Sequence, residues 1–198
     1  MRLRPDLALV ADLIPQGSHV LDLGCGSGEL LAALMADDGC RGTGVEIDPP
    51  SVLAAIATGV PVIELDLDTE LDEFADHSYD VVVLSRTVQT LHRPVEVLQH
   101  MRRIGDRLIV SVPNFGYWRH RLRLLRGRMP MSREIPHAWY DTPNLRHTTL
   151  VELEELFGRL GLVIEQRIVL SPGGVPLRSG DRLANIVAGS AVYVLRAA

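Results

Sequence analysis

The residues best equipped for chemistry in this chain are three glycines and three carboxylates. Gly24, Gly26 and Gly28 follow directly on the apolar run His19 to Leu23 and precede the helical pattern Glu29 to Asp38, so a strand feeds a glycine turn and then a helix. Glycines there let the backbone turn tightly and approach a ligand, and the helix N-terminus behind them offers free N–H groups. The spacing is GxGxG, not GxGxxG: Glu29 stands where the third glycine of a dinucleotide fingerprint would be, and its carboxylate would face a pyrophosphate. A ligand without phosphates fits better, and Asp22 just before the loop favours one that carries positive charge. Glu46, at the end of a second strand 18 residues after Gly28, is placed to accept hydrogen bonds from both hydroxyls of a ribose. Asp66 ends a third strand, placed to accept from an exocyclic amine. Ribose, adenine and a cationic centre together describe S-adenosylmethionine. Taken singly, the glycines are an ordinary tight turn and the two acids are solvated strand ends; their joint placement is what favours a cofactor site.

These residues need a scaffold, and the rest of the chain supplies one. Leu3, Leu7, Val10 and Ile14 recur at helical spacing until Pro15 and Gly17 end the segment. Val45 to Ile47 predicts a strand, Pro50 to Thr58 a helix closed by Gly59, and Val60 to Leu65 a third strand. Asp80 to Leu84 has the apolar continuity of a strand buried on both faces, Pro94 opens a helix that ends in Arg102, Arg103 and Gly105, and Arg107 to Val112 is a fifth strand. Strands alternating with helices imply a parallel sheet covered on both faces. The C-terminal third departs from this alternation. Thr149 and Glu152 form a capping box for a helix to Leu160, and the strands Val163 to Leu170 and Ala184 to Leu195 follow with no helix between, which predicts an antiparallel pair. Pro113 to Thr148, with Pro130, Pro136 and Pro143, is longer than an ordinary connection and is a candidate lid or interaction segment.

Composition narrows the function classes. With 198 residues, 46% hydrophobic and 23% charged, the chain reads as one soluble globular domain, residues 1–198, carrying an inserted segment at about 114–147. A net charge of −5 argues against attachment to nucleic acid or anionic lipid by bulk electrostatics. All 20 strongly basic residues are arginine, which excludes Schiff-base lysines and a Walker-type phosphate loop. Cys25 and Cys40 lack metal-ligand spacing and do not make a disulfide scaffold, and no run approaches membrane-spanning length, so no metal site is expected and a reducing cytoplasm fits best.

The run Val20-Leu21-Asp22-Leu23-Gly24-Cys25-Gly26-Ser27-Gly28, with Gly44-Val45-Glu46-Ile47-Asp48 and Tyr79-Asp80-Val81-Val82-Val83, resembles the class I S-adenosylmethionine-dependent methyltransferase superfamily. Met1-Arg2-Leu3-Arg4-Pro5-Asp6-Leu7, Pro113-Asn114-Phe115-Gly116-Tyr117-Trp118, Arg126-Gly127-Arg128-Met129-Pro130 and Trp139-Tyr140-Asp141-Thr142-Pro143-Asn144 extend the resemblance to the MetW family of methionine biosynthesis proteins. It covers nearly the whole chain; Tyr117 and His137 stand where other polar or aromatic residues are expected. The resemblance implies an α/β, Rossmann-like class I methyltransferase fold: a seven-stranded, mostly parallel sheet of order 3-2-1-4-5-7-6, its last strand antiparallel, with helices on both faces. It implies S-adenosylmethionine or S-adenosylhomocysteine as ligand. Asp22, Gly24, Gly26 and Gly28 would line the methionine end, Glu46 the ribose, Asp66 with Leu67 the adenine, and Ser85 the methyl, with Cys25 and Ile47 also among the cofactor-binding positions. It further implies a homoserine O-acyltransferase as the partner that the protein activates or stabilises. The alternative is a methyltransferase acting on a small-molecule acceptor.

The inserted segment carries its own signals. Phe115, Trp118, Leu122, Leu125 and Met129 fall three and four residues apart, with Arg119, Arg121, Arg123, Arg126 and Arg128 between them, predicting a basic amphipathic helix. Either its apolar stripe packs on the sheet and leaves solvated arginines, or the helix docks an acidic protein partner; RNA and membrane are disfavoured by the net acidity. Pro136 to Pro143 gathers aromatics, so Trp139 or Tyr140 would close over a sulfonium or be buried to pin the loop. A general base would come from His92, His120, His137 or His147, each also readable as an ordinary packing or surface residue. Cys25 reads either as a thiol activated at a helix N-terminus or as a small residue that fits between glycines.

Overall fold

The computed structural model describes residues 3–177 and 181–198; Met1 and Arg2 of the N-terminal motif lie outside them. Seven strands form one sheet: β1 (His19–Leu23), β2 (Arg41–Glu46), β3 (Val62–Glu64), β4 (Tyr79–Ser85), β5 (Gly105–Pro113), β6 (Leu162–Leu170) and β7 (Ser190–Ala197). Their order is β3-β2-β1-β4-β5-β7-β6, with β1 to β5 parallel and β7 antiparallel to both β5 and β6, as the alternation of elements and the resemblance led one to expect.

Strand periodicity divides the core into two layers. On one face Leu21 and Leu23 of β1, Val82 and Leu84 of β4, and Leu108, Val110 and Val112 of β5 meet helices α4 (Pro94–Ile104) and α6 (Leu150–Arg159). On the other, Val20, Val81, Val83 and Ile109 meet α1 (Pro5–Asp12) through Leu7 and Val10, and α2 (Glu29–Asp37) through Leu30, Leu31 and Leu34. Local signals set the helix starts. Asp48 caps α3 (Pro49–Ala57), accepting from the Ser51 N–H at 3.1 Å with Pro49 at the first position. Thr149 caps α6, its Oγ accepting from Glu152 N–H at 3.4 Å and donating to the Glu152 carboxylate at 3.1 Å.

Four expectations need correction. β2 begins at Arg41, four residues earlier than the apolar run, since Gly42 and Gly44 carry no side chains to mark a strand. β3 is shorter than its apolar run, and Val60 packs instead against the second core layer. The expected strand Ala184 to Leu195 is a helix, α7 (Asp181–Val187), followed by β7; Ala184 and Ala188 are fully buried. A short apolar run fits either state by periodicity alone. The expected helix over Phe115 to Met129 is only α5 (Trp118–Leu125), and three of the five residues of its apolar stripe face outward: Trp118 and Met129 are 44% exposed and Leu125 85%, while Phe115 and Leu122 are half-buried. What anchors α5 is His120, fully buried with its ring 5.4 Å from Tyr117 and 6.0 Å from Phe115, while Arg121 Nε donates to the Gly116 carbonyl at 2.6 Å. Those contacts fix the rotation of the helix.

Among the described residues no helix is long and apolar enough to cross a membrane.

Candidate functional site

The C-terminal ends of parallel strands are where an open α/β sheet leaves a crevice. Here a cleft of about 880 Å³ opens there, lined from β2 to β4 and roofed by the segment after α5. The predicted residues Gly24, Glu46, Ile47, Asp66, Leu67 and Ser85 all line it; Asp22, Cys25, Gly26 and Gly28 do not.

The glycine turn is held by its neighbours. Gly24 and Cys25 both donate N–H to the Val45 carbonyl, at 2.8 and 3.0 Å, which pins the turn to β2. Gly24 has a φ of +76°, and a Cβ there would stand 2.6 Å from Thr87 Oγ1, so no side chain fits between the turn and the segment after β4. Cys25 is explained by packing: its sulfur occupies the space where a Cβ on Gly44 would be, 2.5 Å away. Burial, then Asp22 and Glu46, push its thiol up to about 12, which favours the reading of Cys25 as a small packing residue over that of an activated thiol.

Glu46 is the keystone of the arrangement. One carboxylate oxygen accepts from Gly26 N–H at 2.8 Å, the other from Ile47 N–H at 2.8 Å and Asp48 N–H at 3.0 Å. A carboxylate has about four lone-pair sites, so three amides leave capacity for a ligand donor on the cleft side. Asp22, only 4% exposed, has its carboxyl raised to about 7 by burial first and the Glu46 charge second. A cation brought into the cleft would relieve that pair.

Asp66 accepts from Asp68 N–H at 2.9 Å, and its own N–H donates to the Glu70 carboxylate at 2.9 Å. Asp68, which sequence reasoning missed, accepts from His92 and Arg93 N–H at 3.0 and 2.7 Å and so ties the end of β3 to the start of α4. Ile47 leaves 59% of its surface exposed at the rim, an apolar wall beside two acids. Ser85 sits 2.9 Å, oxygen to oxygen, from Ser111 of β5.

The opposite rim was also missed. Arg86, at a φ of +58°, places one guanidinium nitrogen 3.1 Å from both the Glu134 carboxylate and the Glu134 carbonyl, and another 3.7 Å from Asp6 of α1. Burial raises the Glu134 carboxyl and the Arg86 charge opposes the rise. This clamp joins α1, the end of β4 and the inserted segment; a lone arginine after a buried strand gives no sequence signal for it. Of the four candidate histidines, His92 and His137 line the cleft. His120 does not; it is buried, and burial lowers its pKa. His147 stacks on Phe115 at 4.6 Å, against a second cavity of about 170 Å³ that shares Gln89 and Asn144 with the cleft. Trp139 and Tyr140, at 71% and 77% exposed, neither cover the cleft nor pin the loop by burial, so both readings of that pair are corrected. The loop reaches the cleft through Pro136, His137, Thr142 and Pro143. Among the described residues no group of three His, Cys, Asp or Glu side chains has metal-binding geometry.

The site thus offers acceptor carboxylates on the floor, an apolar rim and a buried acid whose pKa burial and Glu46 raise. That set suits a ligand with a diol, an amine and a positive charge.

A family model described as methionine biosynthesis protein MetW matches residues 4–195. A bifunctional methionine biosynthesis protein MetXA/MetW of Rhodopirellula baltica is 37% identical over 176 residues, which is 84% of this chain and 28% of that relative; the chain therefore spans little more than a quarter of its length. Among solved structures, a chain of the Haloferax volcanii complex containing the Trm112 methyltransferase activator superposes with a TM-score of 0.71 at 20% identity, covering 98% of this chain and 90% of that one. An S-adenosylmethionine-dependent methyltransferase of Mesorhizobium loti gives 0.70 at 15% identity, covering 97% of each. These structures establish the fold alone.

Proposed function

The chain belongs to the MetW family, and on that premise we propose that it binds S-adenosylmethionine in the cleft and acts beside a homoserine O-acyltransferase, which it activates or stabilises. The observation that carries the cofactor half is Glu46, whose carboxylate lines the cleft while three backbone N–H groups hold it in place. In this reading Glu46 takes a ribose hydroxyl with the acceptor site its three amides leave free, Asp66 with the backbone of Leu67 takes the adenine edge, and Ile47 covers the ring. Asp22, two residues before Gly24, supplies the negative charge for the methionine end, and Gly26 and Gly28, both at positive φ, let the backbone come close to it. Bound there, the cofactor would supply an activated methyl group on a sulfonium. Ser85 stands at the acceptor side of the cleft with Gln89, His92 and His137.

The partner half rests on the relative in which a MetW-like portion shares one chain with MetXA. Joining two portions in one chain raises their effective concentration without new contacts, which is of use where the two work on one another. Calorimetric titration of the purified chain with S-adenosylmethionine tests the cofactor half: saturable binding that Glu46→Ala weakens supports it, and no binding to the wild type refutes it. A second reading, catalysis of methyl transfer, is favoured by the room left at Ser85, Gln89 and His137 beyond the acids that would hold the cofactor. Positioning of an acceptor in line with the methyl carbon suffices for that reaction, so it needs no dedicated base. Transfer of a labelled methyl group to a small acceptor would establish it.

A further inference from the structure

The surface of α5 and the turn after it combines two properties that seldom coincide on a solvated helix. Residues 118–133 contain six arginines and no carboxylate, in a chain whose net charge is −5. The same stretch exposes its apolar side chains: Trp118, Leu124 and Met129 at 44% each, Met131 at 46% and Leu125 at 85%. Trp118 and Leu125 lie two helical turns apart on one face, and the Arg119 guanidinium lies 5.2 Å from the Trp118 ring. The helix is nonetheless held in a set orientation from beneath by His120 and by Arg121, so the exposed residues are presented on a rigid element. Tryptophan, methionine and arginine together, with acids absent, is the composition of the buried centre of a protein interface, and Trp and Arg dominate binding energy in such centres.

We propose that the outer face of α5, with Trp118, Leu125 and Met129 at its centre and Arg119, Arg126 and Arg128 around them, docks an acidic, apolar-centred surface of the acyltransferase. This rests on the partner reading above and adds where the partner sits. Charge complementarity selects the occupant. A surface this basic on an acidic chain attracts a negative patch at short range, while the rest of the chain repels extended polyanions such as RNA or an anionic bilayer. The Arg86 ion pairs with Glu134 and Asp6 tie the end of the segment that carries this face to the rim of the cleft.

The test uses the full chain and the homoserine O-acyltransferase of the same organism, both purified, with affinity read by calorimetry. Trp118→Ala, Leu125→Ser and Met129→Ser combined should weaken association at least tenfold, and Arg119, Arg126 and Arg128 changed to Ser should weaken it and flatten its salt dependence. Arg123 stays in place because its Nε holds the Met129 carbonyl at 3.1 Å and shapes the turn. Leu53→Ser with Ile56→Ser on α3 removes comparable exposed apolar surface elsewhere and should change nothing. Unchanged S-adenosylmethionine affinity in every variant certifies the fold. Wild-type association that all variants retain within twofold would overturn the face and leave the partner reading standing; no association by the wild type would overturn the partner reading itself. Should these substitutions abolish self-association, or binding to phosphatidylserine vesicles or RNA, while acyltransferase binding persists, the assignment of the occupant fails.

Discussion

Replacing Asp22 with asparagine should make the protein more stable and a poorer ligand binder, both in a pH-dependent way. The Asp22 carboxyl lies at about 7 in the folded chain against an ordinary 3.8, raised by burial and by Glu46. Below pH 3.8 it is protonated in the folded and unfolded chain alike and costs nothing. Between 3.8 and 7 the unfolded chain ionises while the folded chain holds its proton, and the fold loses stability as pH rises. Above 7 the loss is complete at about 4 kcal/mol, from roughly three pKa units at 1.36 kcal/mol each. The amide of the Asp22→Asn variant does not titrate, so urea denaturation at pH 8 should find the variant more stable, and at pH 4 the gain should vanish. Cofactor affinity runs the other way. A sulfonium near Asp22 favours the carboxylate, so binding expels a proton and wild-type affinity should fall up to tenfold per pH unit below 7, reaching a plateau above it. Calorimetry from pH 5.5 to 8.5 in buffers of differing ionisation enthalpy reads both the slope and the released proton. A variant that binds as tightly as the wild type at pH 8, or a wild-type affinity flat across that range, would refute the assignment of Asp22 to the charged end of the ligand.

Further outcomes follow from particular contacts. Glu46→Ala should weaken cofactor binding by about 1–3 kcal/mol, and because Glu46 also accepts from Gly26 N–H, hydrogen exchange at residues 24–28 should rise even without ligand. Gly24→Ala should lower the melting temperature, since its Cβ would stand 2.6 Å from Thr87 Oγ1; adding Thr87→Ala should recover part of the loss, the remainder being the positive φ. Burial lowers the His120 pKa below its ordinary 6.5, so as pH falls through that value the unfolded histidine takes up a proton before the folded one does. Stability should therefore fall as pH drops below 6.5, and His120→Phe, which does not titrate, should flatten that dependence in thermal melts from pH 5 to 8.

The sheet was legible because its signals are local and mutually consistent. Continuous apolar runs such as Val81 to Leu84 announce strands buried on both faces, and Pro94 and Thr149 mark helix starts through backbone chemistry. The cleft residues were legible for the same reason: the glycine turn after β1, Glu46 at the end of β2 and Asp66 two residues past β3 all line or adjoin the cleft where the spacing placed them. What escaped were arrangements set by tertiary contact. Arg86, Glu134 and Asp6 come together from three separate elements, with no spacing to link them. α7 was hidden because an apolar run with two buried alanines suits strand and helix equally. The outward-facing part of the α5 stripe inverted the usual rule that apolar residues face the core, and the reason, a buried histidine beneath the helix, lies in packing alone. Cys25 was ambiguous until the space at Gly44 identified it as filler.

The partnership at the centre of the proposed function is tested most directly by the rate of homoserine acylation by the acyltransferase, measured with and without this chain, and with and without S-adenosylmethionine. The expected result is stimulation, or protection from loss of activity over time, on adding the chain. An acyltransferase indifferent to the chain under all four conditions, with methyl transfer to a small acceptor detected in its place, would contradict it.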